Sequence, residues 1–238
     1  VCWGHGIVMG GGLGVMAGCS HRVVPERTRI AMPEVTIALF PDVGGSWFLN
    51  HAPGKTGEFL ALTGASINAA DAIYIGIADR FIASEHKQAV VSALLKQRWA
   101  AQAEANHAIV RQVLRPFAEQ SISASPAGQV APHAATIAQL LDGDDIHDII
   151  DKITSQVTDD PWLAKARDSL AHGSKLAALW IDRQLWETRH AGLAEIFQAE
   201  IQLATNIVRH PEFAEGVRAL LIDKDRNPGW QYQASRDI

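Results

Sequence analysis

Little in this sequence invites a disulfide, a metal or a membrane. Among 238 residues there are two cysteines, Cys2 and Cys19. Two thiols make no disulfide framework, and they fall in no zinc-like spacing. The expectation is a reducing intracellular compartment, cytoplasm or mitochondrial matrix, with no metal and no separate cofactor. No stretch of eighteen apolar residues occurs, so no membrane span is expected. Positive charge is not in excess: 21 Lys and Arg against 26 Asp and Glu leave a formal net charge of -5. That balance speaks against a nucleic acid or an anionic membrane as partner. Internal repeats and low-complexity tracts are missing too. The one glycine cluster lacks the spacing of a dinucleotide-binding fingerprint, and no GK[ST] follows it.

What is present suits an ordinary globular protein. The chain is 47% hydrophobic and 20% charged, enough to bury a sizeable core. It opens at Val1, without Met, inside what reads as a buried strand over residues 1–8. The expectation is therefore a piece whose N-terminal portion, with any targeting segment, is missing. Met9–Gly12 reads as a turn and Leu13 to about Cys19 as a short helix. Strands are expected at Arg22–Val24, Arg29–Met32 and Gly76–Ile82. Helices are expected over residues 44–51, 54–62 and 69–75, and over 84–99 with Ser84 as N-cap. Residues 121–132, rich in Ser, Ala and Pro, mark the best boundary. It separates a core over 1–120 from a helical region over 121–238, with helices at about 136–141, 146–156, 161–172, 175–190, 194–209 and 211–221.

One stretch carries chemistry. It runs from Met9 to Gly45 and reads MGGGLGVMAGCSHRVVPERTRIAMPEVTIALFPDVGG. Three glycines at a helix start bring backbone N–H groups and a partial positive charge within reach of a substrate oxygen. Gly11, the middle one, is a candidate oxyanion donor, or else the glycines serve packing alone. Glu34 and Asp42 each sit among apolar or glycine neighbours, where a carboxyl titrates high unless paired, as general acid–base or nucleophilic work requires. Bland alternatives stand beside both: a salt bridge from Glu34 to Arg22 or Arg29, and an N-cap by Asp42 on the helix near Gly44.

The segments HGIVMGGGLGVMAGCSHRVV and RIAMPEVTIALFPDVGGSWFL resemble the crotonase superfamily of acyl-coenzyme A enzymes. Within it they most resemble the branch of 3-hydroxyisobutyryl-CoA hydrolases. The similarity continues through GKTGEFLALTG and GIADRFI and returns at EFAEGVRALLIDKDRNPGW. It is weakest over about residues 100–174.

That resemblance implies an α/β fold, a crotonase-type spiral of ββα units with a helical C-terminal part. It gives Gly11 the oxyanion-hole amide and Glu34 the acid shared by hydratases and hydrolases. Asp42 falls where hydrolases carry aspartate and hydratases glycine, and Gly14 where hydratases carry their second glutamate. Glu34, Asp42 and Gly11 are then both the catalytic and the substrate-binding residues. The expected reaction is hydrolysis of a short-chain β-hydroxyacyl-CoA thioester, 3-hydroxyisobutyryl-CoA of valine breakdown above all, with coenzyme A as part of the substrate. A second oxyanion donor and much of the coenzyme A cradle are expected ahead of Val1, and Lys224 or Arg226 is placed to meet a coenzyme A phosphate. The alternatives are a hydratase or isomerase, and a non-catalytic acyl-CoA-binding subunit. A homo-oligomer is compatible with the helical part.

Overall fold

A computed structural model describes residues 1–238. The sheet is built in two short layers that the chain visits alternately. Strands β1 (Cys2–Trp3), β3 (Arg22–Val24) and β5 (Arg80–Phe81) pair in parallel in the order β1-β3-β5. Strands β2 (Ile7–Met9) and β4 (Arg29–Ala31) form a second parallel pair, with Met9 opposite Ala31. The first two turns of the chain each lay one strand in each layer before the helices that follow, as the expected ββα spiral does, and the third adds β5 to the first layer. Residues 1–8 are therefore not one strand. Gly4, His5 and Gly6 make a corner, and Gly6 takes a left-handed φ of 71° to carry the chain from one layer to the other.

Helix α1 (Gly11–Ala17) follows β2 and buries Leu13 and Met16. A 3₁₀ turn, Glu34–Ile37, follows β4. Helices α2 (Gly45–Asn50), α3 (Thr56–Thr63) and α4 (Ala69–Tyr74) come next. Asn68 caps α4, and the Asp71 carboxylate returns a bond to the Asn68 amide. Asp71 is fully buried and also accepts the Gln129 and Val130 amides at 2.6 and 2.8 Å, so it ties α4 to the 121–132 stretch. Ser84 does not act as an N-cap. Its amide donates to Glu26, its hydroxyl is buried without a partner, and a 3₁₀ turn precedes α5 (Lys87–Leu95).

Helix α6 (Ala103–Ser121) lays Val110 and Leu114 on Val23, Ile82 and Val90, a small apolar cluster on one side of the three-stranded layer. The rest is helical as expected: α7 (Ala134–Leu140), α8 (Ile146–Thr154), α9 (Pro161–His172), α10 (Lys175–Thr188), α11 (Leu193–Ile207) and α12 (Pro211–Val217). Their starts show why. Asp145, Asp160 and Ser174 each accept amides of the first turn, and Pro161 fills a position where no N–H is needed. Their spacing also fits, as with Ile149, Ile150 and Ile153 buried on one face of α8. The main apolar core draws residues from Val8 to Ile207, so the strand layers and the C-terminal helices share one interior. No helix is long and apolar enough to cross a membrane.

Candidate active site

Two chain segments leave the same end of the two-stranded layer. At the end of β2, Gly10 adopts φ 50° and ψ -127°, a conformation open in practice only to glycine, and turns the chain into α1. The helical ladder begins with the Leu13 and Gly14 amides, which donate to the Gly10 carbonyl at 2.9 and 3.1 Å. The Gly11 and Gly12 amides precede that ladder, at the positive end of the helix. Nothing lies within 4 Å of where a Cβ on either residue would stand. That side of the turn is open to an approaching group.

From the end of β4, Met32 and Pro33 lead to Glu34. Its Oε1 lies 3.4 Å from the Cβ position of Gly10, which puts the carboxyl beside the glycine turn. Glu34 is 6% exposed, and its Oε2 has no hydrogen-bond partner. Burial pushes its pKa up to about 8, and the charge of Asp42 pushes the same way. The alternative for Glu34, a salt bridge to Arg22 or Arg29, is not made. Arg22 instead forks onto Asp79, and Arg29 is exposed without an ion pair.

Asp42 is half-buried, and its carboxyl accepts nothing from any other residue. Burial raises its pKa as well. It does not cap α2. The amides at that helix start are taken by Glu200 of α11, whose Oε2 accepts Gly44 N–H at 2.8 Å and whose Oε1 accepts Ser46 N–H at 3.2 Å. The cap reading of Asp42 fails because a better-placed acid arrives from the far end of the chain, and Asp42 is left free.

Gly14 and Val43 close the space between the two segments. A Cβ on Gly14 would stand 2.6 Å from Cβ and Cγ2 of Val43. Val43 itself has φ 54°, uncommon for a β-branched residue. No side chain fits at position 14 without moving the Asp42–Gly45 turn.

The C-terminal helices hold the Glu34 turn from behind. Ser174 N–H donates to the Val35 carbonyl at 3.0 Å. Gly216 of α12 approaches so closely that a Cβ there would lie 2.6 Å from the Cα of Ile37. Ser174 also donates its hydroxyl to the buried carboxylate of Glu212, which accepts the Tyr232 amide as well. Lys224 and Arg226, at φ 58° and 56°, lie in a loop that Arg218 ties together through Asp223 and Asp225 at 2.7 Å. A concavity of about 640 Å³ between the Glu26–Arg29 turn and α9 is lined by neither acid nor by Gly11.

Of the residues singled out from the sequence, Glu34 lies beside the Gly10–Gly12 turn and near enough to Asp42 to feel its charge, whereas Glu200 is not among them. The signal was available. On α11 the spacing Ile196, Glu200, Leu203, Ile207 puts the acid on the buried stripe.

A family model described as enoyl-CoA hydratase/isomerase matches residues 1–238. A curated zebrafish relative, the mitochondrial 3-hydroxyisobutyryl-CoA hydrolase of Danio rerio, is 33% identical over 95% of this chain and 58% of its own length. Two solved structures are 31% identical. One is an enoyl-CoA hydratase from Rhodobacter sphaeroides, with a TM-score of 0.79 over 98% of this chain and 63% of that one. The other is a carnitinyl-CoA dehydratase from Mycobacterium thermoresistibile, with a TM-score of 0.82 over 97% of this chain and 62% of that one. The chain spans about three fifths of the length of the curated relatives it matches.

Proposed function

The chain belongs to the enoyl-CoA hydratase/isomerase family, and within it we propose a hydrolase that cleaves the thioester of a short-chain β-hydroxyacyl-CoA, 3-hydroxyisobutyryl-CoA first. The observation that carries this reading is the contact between Gly14 and Val43. Adding water across an enoyl thioester calls for two acids that handle the α- and β-carbons. Here the site of the second glutamate is glycine, and Val43 fills the space a side chain would need. The acid that remains with Glu34 is Asp42, whose charge acts on it. The name of the zebrafish relative supports the same substrate and a mitochondrial location.

Hydrolysis asks less of the acyl chain and more of the carbonyl. The thioester oxygen rests at the Gly11 amide, where a single oxyanion donor is worth about 3 kcal/mol as charge develops. The Glu34 carboxylate takes a proton from water, whose oxygen attacks the carbonyl carbon. Alternatively it attacks that carbon itself, and water then opens the anhydride. In either route the C–S bond breaks with its electron pair on sulfur, and the thiolate receives a proton. Asp42 orients the substrate hydroxyl or the water, or relays that proton. Coenzyme A enters as part of the substrate and leaves as the free thiol.

Free-thiol release from 3-hydroxyisobutyryl-CoA by the full-length protein tests the proposal. Glu34→Gln and Asp42→Asn should each cut the rate about a hundredfold or more. Full activity in Glu34→Gln would overturn it. Two of the structural relatives are named for hydration or dehydration, so crotonyl-CoA is the control. Hydration faster than thiol release would favour the hydratase reading.

A further inference from the structure

Glu200 is an acid that the reaction as proposed does not use, yet its placement is unusual. It is 4% exposed, comes from the middle of α11, and spends its carboxylate on two backbone amides of another segment. Those amides, Gly44 and Ser46, directly follow Asp42 and Val43. The turn they belong to is one that a chain does not adopt unaided. Val43 and Gly44 are consecutive left-handed residues at φ 54° and 82°, and the first is β-branched. Such a conformation persists only where its surroundings over-determine it.

The surroundings are α11 and α10. Leu193 and Phe197, two turns and one turn of helix before Glu200, each come within 3.5 Å of the Cβ position of Gly44. Gln184 of α10 reaches the Ser46 hydroxyl at 3.4 Å. The polar part of this clamp is Glu200. Burial, with the charge of Asp42 beside it, pushes the Glu200 pKa up, and the bonds its carboxylate accepts from the two amides oppose that shift and are charge-assisted when it ionises. The Asp42 carbonyl then accepts Gly45 N–H at 2.7 Å inside the same turn.

We propose that Glu200 is a positioning residue for Asp42: through the Gly44 and Ser46 amides it fixes the strained Val43–Gly44 turn and so keeps the Asp42 carboxyl in register with Glu34. The proposal rests on the hydrolase reading given above for Asp42. It makes the C-terminal helical region part of the catalytic apparatus by geometry rather than by contact with substrate. Glu200 touches no reacting atom. Its effect should appear in turnover and should vanish when Asp42 can no longer act.

A double-mutant cycle in the full-length protein separates this from a merely structural cap. Glutamine in place of Glu200 keeps one acceptor but turns an NH₂ toward the other amide. Glu200→Gln should lower kcat for thiol release about ten- to hundredfold, as sub-ångström to ångström misplacement does, with KM changed less than about twofold. In an Asp42→Asn background the same substitution should cost less than about threefold. Glu200→Asp, which keeps the charge on a shorter arm, should recover part of kcat. Losses that multiply in the double variant, or a Glu200→Gln enzyme within about twofold of wild type, would overturn the proposal. So would failure of both Glu200 variants to fold, which would make Glu200 a stability residue only. If Asp42→Asn is itself fully active while Glu200→Gln is impaired, the role given to Asp42 fails and this inference falls with it. If Asp42→Asn is impaired and Glu200→Gln is not, only this inference falls.

Discussion

A Cβ atom at Gly14 would stand 2.6 Å from both Cβ and Cγ2 of Val43 and 3.0 Å from the Val43 carbonyl oxygen. The helix that begins at Gly11 and the turn that carries Asp42 are thus interlocked through one missing side chain and one strained valine. Two positions 29 residues apart thus compete for one space.

The interlock predicts the effect of the smallest change. Gly14→Ala should gain helix propensity but lose about 1–3 kcal/mol overall, as overpacked sites do. Because the clash is with the Val43 side chain, Gly14→Ala combined with Val43→Gly should recover most of that loss. Urea unfolding of the two single variants and the double variant reads the coupling. Gly14→Glu should unfold the site more severely and should not confer crotonyl-CoA hydration. Additive single-variant effects would show that the two residues do not share the space.

The sequence made some of this legible and hid the rest for physical reasons. Glu34 and Asp42 stood out because a carboxyl among apolar and glycine neighbours is expensive unless used. The α9 helix could be placed to the residue, since Asp160, Pro161 and the apolar spacing after them all mark its start. The roles of long-range partners could not be read in the same way. Asp71 looks like an ordinary capping-box residue, and nothing local says that it also holds Gln129 and Val130. Glu200 resembles one more charge on an amphipathic helix until its register beside Ile196 and Ile207 is counted. Asp42 was read as a possible cap because its own neighbourhood offers no competitor, and the competitor lies more than 150 positions later. The break between β1 and β2 was hidden by an apolar run that fits one strand as well as two. Which residues share a site depends on the spiral, and local periodicity does not contain it.

Glu34 couples stability to pH with a definite sign. Its carboxyl titrates near 8 in the folded chain against an ordinary value of 4.5. Between those pH values the folded state keeps a proton that the unfolded state has released. Stability therefore falls as pH rises through that window and levels off above about 8. Glu34→Gln removes the penalty. The variant should match wild type near pH 4 and exceed it at pH 8.5 by an amount on the order of a few kcal/mol. Chemical denaturation at the two pH values checks this, and equal stability at both would show that the carboxyl ionises without cost. The proposed hydrolysis uses the Glu34 carboxylate, so kcat/KM for thiol release in wild type should climb with pH along a limb reporting an acid well above the usual glutamate range.

Gly216 predicts how far the C-terminal helices govern the site. It lies inside α12, where alanine would normally be favoured over glycine by about 1 kcal/mol. Here the new methyl would meet the backbone of Ile37, at 2.6 Å from Cα and carbonyl carbon and 2.7 Å from the oxygen. Backbone cannot rotate away as a flexible side chain can, so either α12 lifts or the Glu34–Ile37 turn moves. Gly216→Ala should therefore destabilise by about 2–4 kcal/mol despite its better propensity. It should also reduce thiol release, because Ile37 ends the short turn that begins at Glu34. Gly143→Ala, whose methyl would meet nothing closer than the Lys152 ammonium at 3.6 Å, is the matched control and should change stability by less than about 0.5 kcal/mol. A Gly216→Ala protein with wild-type melting temperature and wild-type turnover would show that α12 does not set the position of Glu34. Lowered stability with unchanged turnover would show that α12 supports the fold without governing the acid.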